Sequence, residues 1–256
     1  MMTEYDGLAE FYDAEWRNLT QDIPFLREEA AKTGGPILEL ACGSGRIMLP
    51  LARDGHEVWG IDNSRKMIDI LSKKAEEEPA LAQLMHFSLQ DMRTFTFDMQ
   101  FKLIIIPFNS FLLMTDRPDF DICLQNCRKH LTDDGVFIVD IFSPNFELCA
   151  IREPKMQFLQ HFLNPETERV VVQWEFAKRD MGKQLIDIDF LYEEYQPDGT
   201  VKQNTRSISM SIVFRYEMQY LLEKHGFAVQ SVIGDYDRTE FTSGSPQMIY
   251  ICHKSN

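Results

Sequence analysis

The stretch Ile37-Leu38-Glu39-Leu40-Ala41-Cys42-Gly43-Ser44-Gly45-Arg46-Ile47 constrains the fold of this chain more than any other segment. An apolar run of strand length passes through two glycines into the start of a helix. Neither glycine carries a Cβ, so the backbone can turn at positive φ and run close to a ligand. The helix that follows turns its unpaired N–H groups toward the same space. Glu39 stands out, because a carboxylate inside a buried strand is costly unless something binds it. Strand, glycine turn and helix in this order make a ligand cradle at the carboxyl end of a strand.

The flanking pattern extends the cradle into a fold. Helical character runs over residues 8–33, anchored by Phe11, Tyr12, Trp16, Phe25 and Leu26. Strands at 36–41, 57–61, 84–88, 101–106 and 136–142 then alternate with helices at 45–53, 64–77 and 118–131, the last closed by the turn Thr132-Asp133-Asp134-Gly135. Phe101 to Ile106 is apolar throughout, as in a strand buried on both faces. Alternating βα units imply a parallel sheet with right-handed crossovers and ligands at the carboxyl ends of its strands.

Between about residues 150 and 213 the period changes to two, in Val170–Phe176, Leu185–Tyr192 and Ser207–Val213. Asp180-Met181-Gly182 and Pro197-Asp198-Gly199 mark hairpin turns between them. Three or four antiparallel strands are therefore inserted here. A helix over 215–225 ends at Gly226, a residue type suited to the left-handed position after a helix, and strands at 228–233 and 247–252 follow. The expected fold is α/β: a Rossmann-like, doubly wound, seven-stranded and mostly parallel sheet with an antiparallel β insertion after strand 5. The expected division is a core of residues 1–145 and 214–256, with residues 146–213 as a cap.

Composition removes several function classes. The formal net charge of −14 disfavours nucleic acid, whose phosphates are bound by clustered Lys and Arg. No apolar run approaches the roughly 20 residues of a membrane span. The acidic opening Met1-Met2-Thr3-Glu4-Tyr5-Asp6 lacks the basic-then-apolar layout of a signal peptide. With five cysteines, an odd number, the chain is expected to be cytoplasmic and reduced. Cys123 and Cys127 recur with Phe120, Leu124 and Leu131 at helical spacing, which makes a core stripe rather than a metal site. The expected partner is a small-molecule substrate, with no nucleic acid, membrane or metal; the sequence is compatible with a homodimer.

Which ligand the cradle holds is decided by what accompanies it. A dinucleotide fingerprint needs a third glycine, and Met48 stands in its place. The lysine of a triphosphate loop is missing too. Asp62 ends the second strand about twenty positions after Gly43, where a carboxylate can take both hydroxyls of a ribose. Glu39-Leu40-Ala41-Cys42-Gly43-Ser44-Gly45 resembles the first motif of the class I S-adenosylmethionine-dependent methyltransferases, E/D-x-G/A-x-G-x-G. Asp62-Asn63-Ser64-Arg65-Lys66-Met67 resembles that family's D-x-S-x-x-M.

The resemblance implies S-adenosylmethionine as the methyl donor and assigns residues to it. Glu39, Ala41, Gly43 and Gly45 would face its methionine part. Asp62 would bind the ribose, with Asn63 and Met67 flanking the adenine. Gln90, Asp91 and Met92 would hold the adenine edge, and Phe108 would lie near the sulfonium. Tyr5-Asp6-Gly7-Leu8-Ala9-Glu10-Phe11-Tyr12-Asp13 resembles the Y-D-x-x-A-x-x-Y-D opening of many small-molecule members, which makes Tyr12 a lid; Arg17, by its charge, is a candidate partner for the methionine carboxylate.

Pro107-Phe108-Asn109-Ser110-Phe111 lacks the [DNS]-P-P-[YFW] motif of nucleic-acid amino-methyltransferases. Asn109 and Phe111 are then candidates for contact with a small acceptor. So is Tyr236, in a Gly234-Asp235-Tyr236-Asp237 stretch that resembles one in members with a β insertion. The expected activity is methyl transfer to a nitrogen or oxygen nucleophile by in-line displacement, in which alignment and water exclusion supply most of the rate. No histidine is singled out as a base. Two alternatives stand beside this reading: a dinucleotide-dependent oxidoreductase, and a non-catalytic S-adenosylmethionine-binding protein that docks a partner.

Overall fold

The computed structural model describes residues 9–145, 149–151, 153 and 155–255, with no side chain for residue 10. Tyr5, Asp6, Gly7 and Leu8, expected as part of the lid, lie outside the described residues. The chain enters through α1 (Ala9–Glu15) and α2 (Asp22–Thr33). It then forms β1 (Ile37–Leu40), α3 (Met48–Arg53), β2 (Val58–Asp62), α4 (Arg65–Glu77), β3 (Met85–Leu89), β4 (Phe101–Ile106), α5 (Arg117–His130) and β5 (Leu131–Phe142). Four strands follow: β6 (Met156–Leu163), β7 (Val170–Asp180), β8 (Leu185–Tyr195) and β9 (Val201–Ser211). The chain closes with α6 (Arg215–Lys224), β10 (Phe227–Ile233) and β11 (Gln247–Lys254).

The first sheet has seven strands in the order β10-β11-β5-β4-β1-β2-β3. The pairs β1–β2, β1–β4, β2–β3 and β4–β5 are parallel, and β11 runs antiparallel to both β5 and β10. Because β1 lies between β2 and β4, the winding reverses at its carboxyl end and opens a crevice there, where α/β sheets take their ligands. Every residue of β1 is buried, as are Leu103 to Ile106 of β4. These continuous apolar runs are the physical reason for the central position of both strands. The second sheet, β6-β7-β8-β9, is antiparallel throughout. Its inner face buries Val171, Ile186, Phe190, Tyr192, Ile208 and Met210 against the main core.

Several boundaries differ from the sequence expectation; β9, for one, runs from Val201 to Ser211 in place of the expected Ser207–Val213. The helix expected over 8–33 is two helices, α1 ending at Glu15 and α2 starting at Asp22, with Pro24 in the first turn of α2, where its missing N–H leaves no hydrogen bond unmade. The helix expected from Gly45 begins at Met48; Gly45 itself sits at φ 85° in the turn. The turn expected at Thr132-Asp133-Asp134-Gly135 is absorbed into β5, which pairs from Leu131 opposite Phe101 and shifts register before Leu103.

Candidate active site

The glycine turn is held open by its neighbours rather than by its own sequence. The N–H of Gly43, at φ 54°, donates to Oδ2 of Asp62 at 2.9 Å, and Oδ1 of Asp62 accepts from the N–H of Ser64 at 2.8 Å. One buried carboxylate thus fastens the turn after β1 to the start of α4. Ser64 caps that helix, its Oγ accepting from the N–H of Met67 at 3.3 Å. A Cβ on Gly45 would lie 2.4 Å from Cδ1 of Leu71, so only glycine lets the turn pack on α4. Met48 is tolerated in the third-glycine slot because Gly60 on β2 leaves room: a Cβ there would come within 3.2 Å of its sulfur and 2.9 Å of Cys42 Sγ.

A cavity of about 250 Å³ opens beside this turn. Ala41 and Gly43 line it from β1, and Asp62, Asn63 and Met67 from β2 and α4. Gln90, Asp91 and Met92 close one end after β3, and Tyr12 and Phe108 the other. Ten of the sequence-predicted residues are thereby brought to one space. α1 lies over it, tied down by Asp13, which accepts from Ser44 Oγ at 2.5 Å and pairs with Lys74 at 2.6 Å. Tyr12 consequently stands across from Gly43, whose added Cβ would meet Tyr12 Cε1 at 3.9 Å.

Glu39 and Gly45 lie behind the turn and line neither this cavity nor the next. Glu39 is 2% exposed, and Oε2 of its carboxylate has no hydrogen-bond partner among the described residues. Burial pushes its pKa well above the usual carboxylate range against the opposing pull of Arg46, with Asp22 and Asp62 adding to the rise.

Four candidates sit elsewhere. Arg17 is exposed in the turn after α1 and lines neither cavity. The enclosed arginine is Arg46, which forks onto Asp22 at 2.6 and 2.8 Å and lies 5.4 Å from the centre of the Phe108 ring. Phe111 is fully buried and stacks on Phe120 with ring centres 4.7 Å apart, so it belongs to the core. Tyr236 is drawn away because its loop folds back onto α2, where Arg238 pairs with Glu28 and Glu29. Its hydroxyl donates to Oδ2 of Asp140 instead of facing a ligand. Asn109, the fourth, faces a second cavity.

That second cavity, of about 290 Å³, lies under the antiparallel sheet. Its walls are largely apolar and aromatic, with Glu175 and Arg179 of β7 and Arg206 of β9 as charged members. Among the described residues, Tyr12, Phe108 and Leu113 line both cavities. Trp16, one helical turn after Tyr12, meets the Phe108 ring edge-on at 4.7 Å. Phe108 and Asn109 are both left-handed, at φ 51° and 64°, a costly pair for non-glycine residues. Asp140 holds them there: Phe108 N–H donates to its carboxylate at 3.1 Å and Asn109 N–H to its carbonyl at 3.0 Å. Asn109 Oδ1 accepts in turn from the N–H of Phe142 at 2.5 Å.

Several residues of the site carry no signal in the sequence. Arg93 lines the first cavity, forking onto Asp91 and reaching Asp119 at 2.7 Å; its hydrogen bonds to Asp91 hold that carboxyl below its ordinary range. No histidine lines either cavity among the described residues.

A family model for a methyltransferase domain matches residues 37–135. The chain is 30% identical over 222 residues to the cypemycin N-terminal methyltransferase of a Streptomyces species, a match covering 86% of this chain and 84% of that protein. The chain belongs to the class I S-adenosylmethionine-dependent methyltransferases. It is also 27% identical over 264 residues to the putative methyltransferase YqeM of Bacillus subtilis (strain 168), covering 98% of this chain and 97% of that one. In fold, the methyltransferase is similar to CcbJ of Streptomyces caelestis, with a TM-score of 0.85, 20% identity, and 100% and 99% of the two chains covered.

Membership makes S-adenosylmethionine the methyl donor and the protein an enzyme, which removes the oxidoreductase and non-catalytic alternatives. The donor set fits. A carboxylate already aligned by two N–H groups stands at the tip of β2, a glycine whose Cβ would point at Tyr12 borders the cradle, and an unsatisfied buried carboxylate oxygen lies behind it.

Proposed function

We propose that the methyltransferase holds S-adenosylmethionine in the first cavity and a small-molecule acceptor in the second, whose nitrogen or oxygen nucleophile takes the methyl group across their shared wall. The observation that carries this is the pair of adjoining cavities lined in common by Tyr12, Phe108 and Leu113. The bound donor supplies a methyl group on a sulfonium, and the chain's own residues supply position. Asp62, oriented by the N–H groups of Gly43 and Ser64, takes the ribose hydroxyls. Asn63 and Met67 flank the adenine, and Gln90, Asp91 and Met92 border its edge. Ala41, Gly43 and Gly45 shape the methionine end, with Glu39 organising the turn from behind. Tyr12 and Phe108 enclose the transfer path and exclude water, and Asn109 faces the acceptor. Residues 146–213 serve as the acceptor's cap on the core of residues 1–145 and 214–256.

A small acceptor is supported by the size of the second cavity, about 290 Å³, and by the net charge of −14, which repels a phosphate backbone. Calorimetric titration with S-adenosylhomocysteine and with NAD tests the donor cavity. Binding of S-adenosylhomocysteine, weakened at least tenfold by Asp62→Ala, is expected. Binding of NAD instead would overturn the reading, and transfer of a labelled methyl group to macromolecules rather than metabolites would overturn the acceptor class.

A further inference from the structure

We infer that the second cavity takes an acceptor whose nucleophile is an amine on an apolar body, and that Glu175 binds the ammonium and removes its proton. The inference rests on the two-cavity reading above and assigns the acceptor's chemistry within it. On the inner face of the second sheet, Glu175 stands across from Phe190, and Phe190 across from Arg206. Arg206 is engaged: it pairs with Glu15 at 3.4 Å and lies 4.7 Å from the centre of the Phe190 ring. Arg179, four residues along β7, donates to the carbonyl of Ala177 at 3.3 Å. Glu175 makes no hydrogen bond or ion pair among the described residues, although it is half-buried and lines the cavity.

A carboxylate in that position is energetically incomplete. Burial raises its pKa, and the field of Arg179 pulls it back less strongly. The cost of the uncompensated charge is removed either by a proton or by a cation. An ammonium supplies both. The rest of the lining, including Trp16, Phe142, Ile188 and Ile208, suits an apolar body, and the aromatic rings beside it favour a cation. An anion would have to enter beside Glu175, and of the two guanidiniums in the lining Arg206 already pairs with Glu15 while Arg179 lies in the field of Glu175 itself.

The proton step balances. The N–H bond of the ammonium breaks, an O–H bond forms on Glu175, and the neutral amine is left with a free lone pair. The methylated nitrogen becomes cationic by taking over the positive charge of the sulfonium, whose sulfur leaves as a neutral thioether, and Glu175 releases the proton it took to water, which restores the carboxylate. Burial lowers the ammonium's pKa and raises that of the carboxylate, which brings the two groups together for the transfer. No histidine competes for this role in the described lining. The charged and titratable groups facing Glu175 are Arg179 on its own strand, Arg206 on β9, and Glu15 and Tyr12 on α1.

The test loads the full chain with S-adenosylhomocysteine and titrates in 2-phenylethylamine, 2-phenylethanol or 3-phenylpropionate by calorimetry. The amine is expected to bind at least tenfold tighter than the other two. Glu175→Gln should abolish that preference while leaving S-adenosylhomocysteine affinity unchanged, and Glu175→Asp should restore part of it. Labelled methyl transfer to 2-phenylethylamine should fall at acid pH in the wild type, and the acid limb should vanish in Glu175→Gln. A preference for the carboxylate or the alcohol, an amine preference that survives Glu175→Gln, or binding of none of the three probes would overturn the inference. Failure of S-adenosylhomocysteine itself to bind would instead sink the two-cavity reading beneath it.

Discussion

Asp140 offers a prediction whose size follows from the structure. It is 4% exposed, accepts from Tyr236 and from the Phe108 N–H, and keeps Oδ1 without a partner among the described residues. Burial raises its pKa from 3.8 to about 6, against the hydrogen bonds from Tyr236 and Phe108 that favour the charged form. The folded chain therefore holds a proton that the unfolded chain has released between those two values. Stability from this group is fully present below pH 3.8 and is lost as pH rises through about 6.

At about 1.36 kcal/mol per pH unit the whole effect is about 3 kcal/mol, of which about 1.4 kcal/mol falls between pH 5 and 7.5. Asp140→Asn keeps an oxygen for Tyr236 and Phe108 and cannot titrate. Urea unfolding of both proteins from pH 5 to 7.5 isolates the group, because other titrations cancel in the difference. The wild-type stability minus that of the variant should fall by about 1.4 kcal/mol across the range. Parallel curves would refute the raised pKa, and a difference that grows with pH would refute its sign.

Two further perturbations probe the frame of the site. Gly45→Ala places a Cβ 2.4 Å from Leu71 at φ 85°, so it should destabilise the chain by about 2–4 kcal/mol and lower the melting temperature by roughly 5–10 °C; an unchanged melt would contradict the packing of the turn on α4. Glu15→Gln removes the carboxylate charge that faces buried Arg206 and should cost about 3 kcal/mol, much of it recovered when Arg206→Met is added. A double-mutant cycle by urea unfolding measures the coupling, and additive losses would show that the pair is energetically idle.

The fold was legible where burial is continuous or strictly periodic. β4 ends at the residues its apolar run marks, and Ser64 caps α4 as its place before the apolar stripe suggests. The reading failed where tertiary contact overrides local signal. Thr132-Asp133-Asp134-Gly135 has the composition of a turn, and it bulges out of the ladder inside a continuous β5, between Leu131 opposite Phe101 and Val136 opposite Leu103. At the site, residues next to the glycine turn and the strand tips were readable because their spacing fixes where they stand. Arg17, Phe111 and Tyr236 were not, since each lies in a connection whose path depends on distant partners: Phe120 for one, Asp140 and Glu29 for another. Arg93, Arg206 and Glu175 gave no sign at all, because a charged residue in an alternating strand or loop looks the same whether it faces solvent or a cavity.

The two cavities meet along three residues and otherwise draw on different parts of the chain. The first cavity is built from the tips of β1, β2 and β3, where Asp62 also secures the turn after β1 and the start of α4. The acceptor side is built mainly from the inner faces of β7, β8 and β9, whose cross-strand pairing depends on backbone rather than on particular side chains. Substitutions in those strands can therefore accumulate without disturbing the donor. If the second cavity holds the acceptor as proposed, a library confined to Glu175, Arg179, Ile186, Ile188, Ile208 and Met210 is expected to change the acceptor while S-adenosylhomocysteine affinity stays fixed.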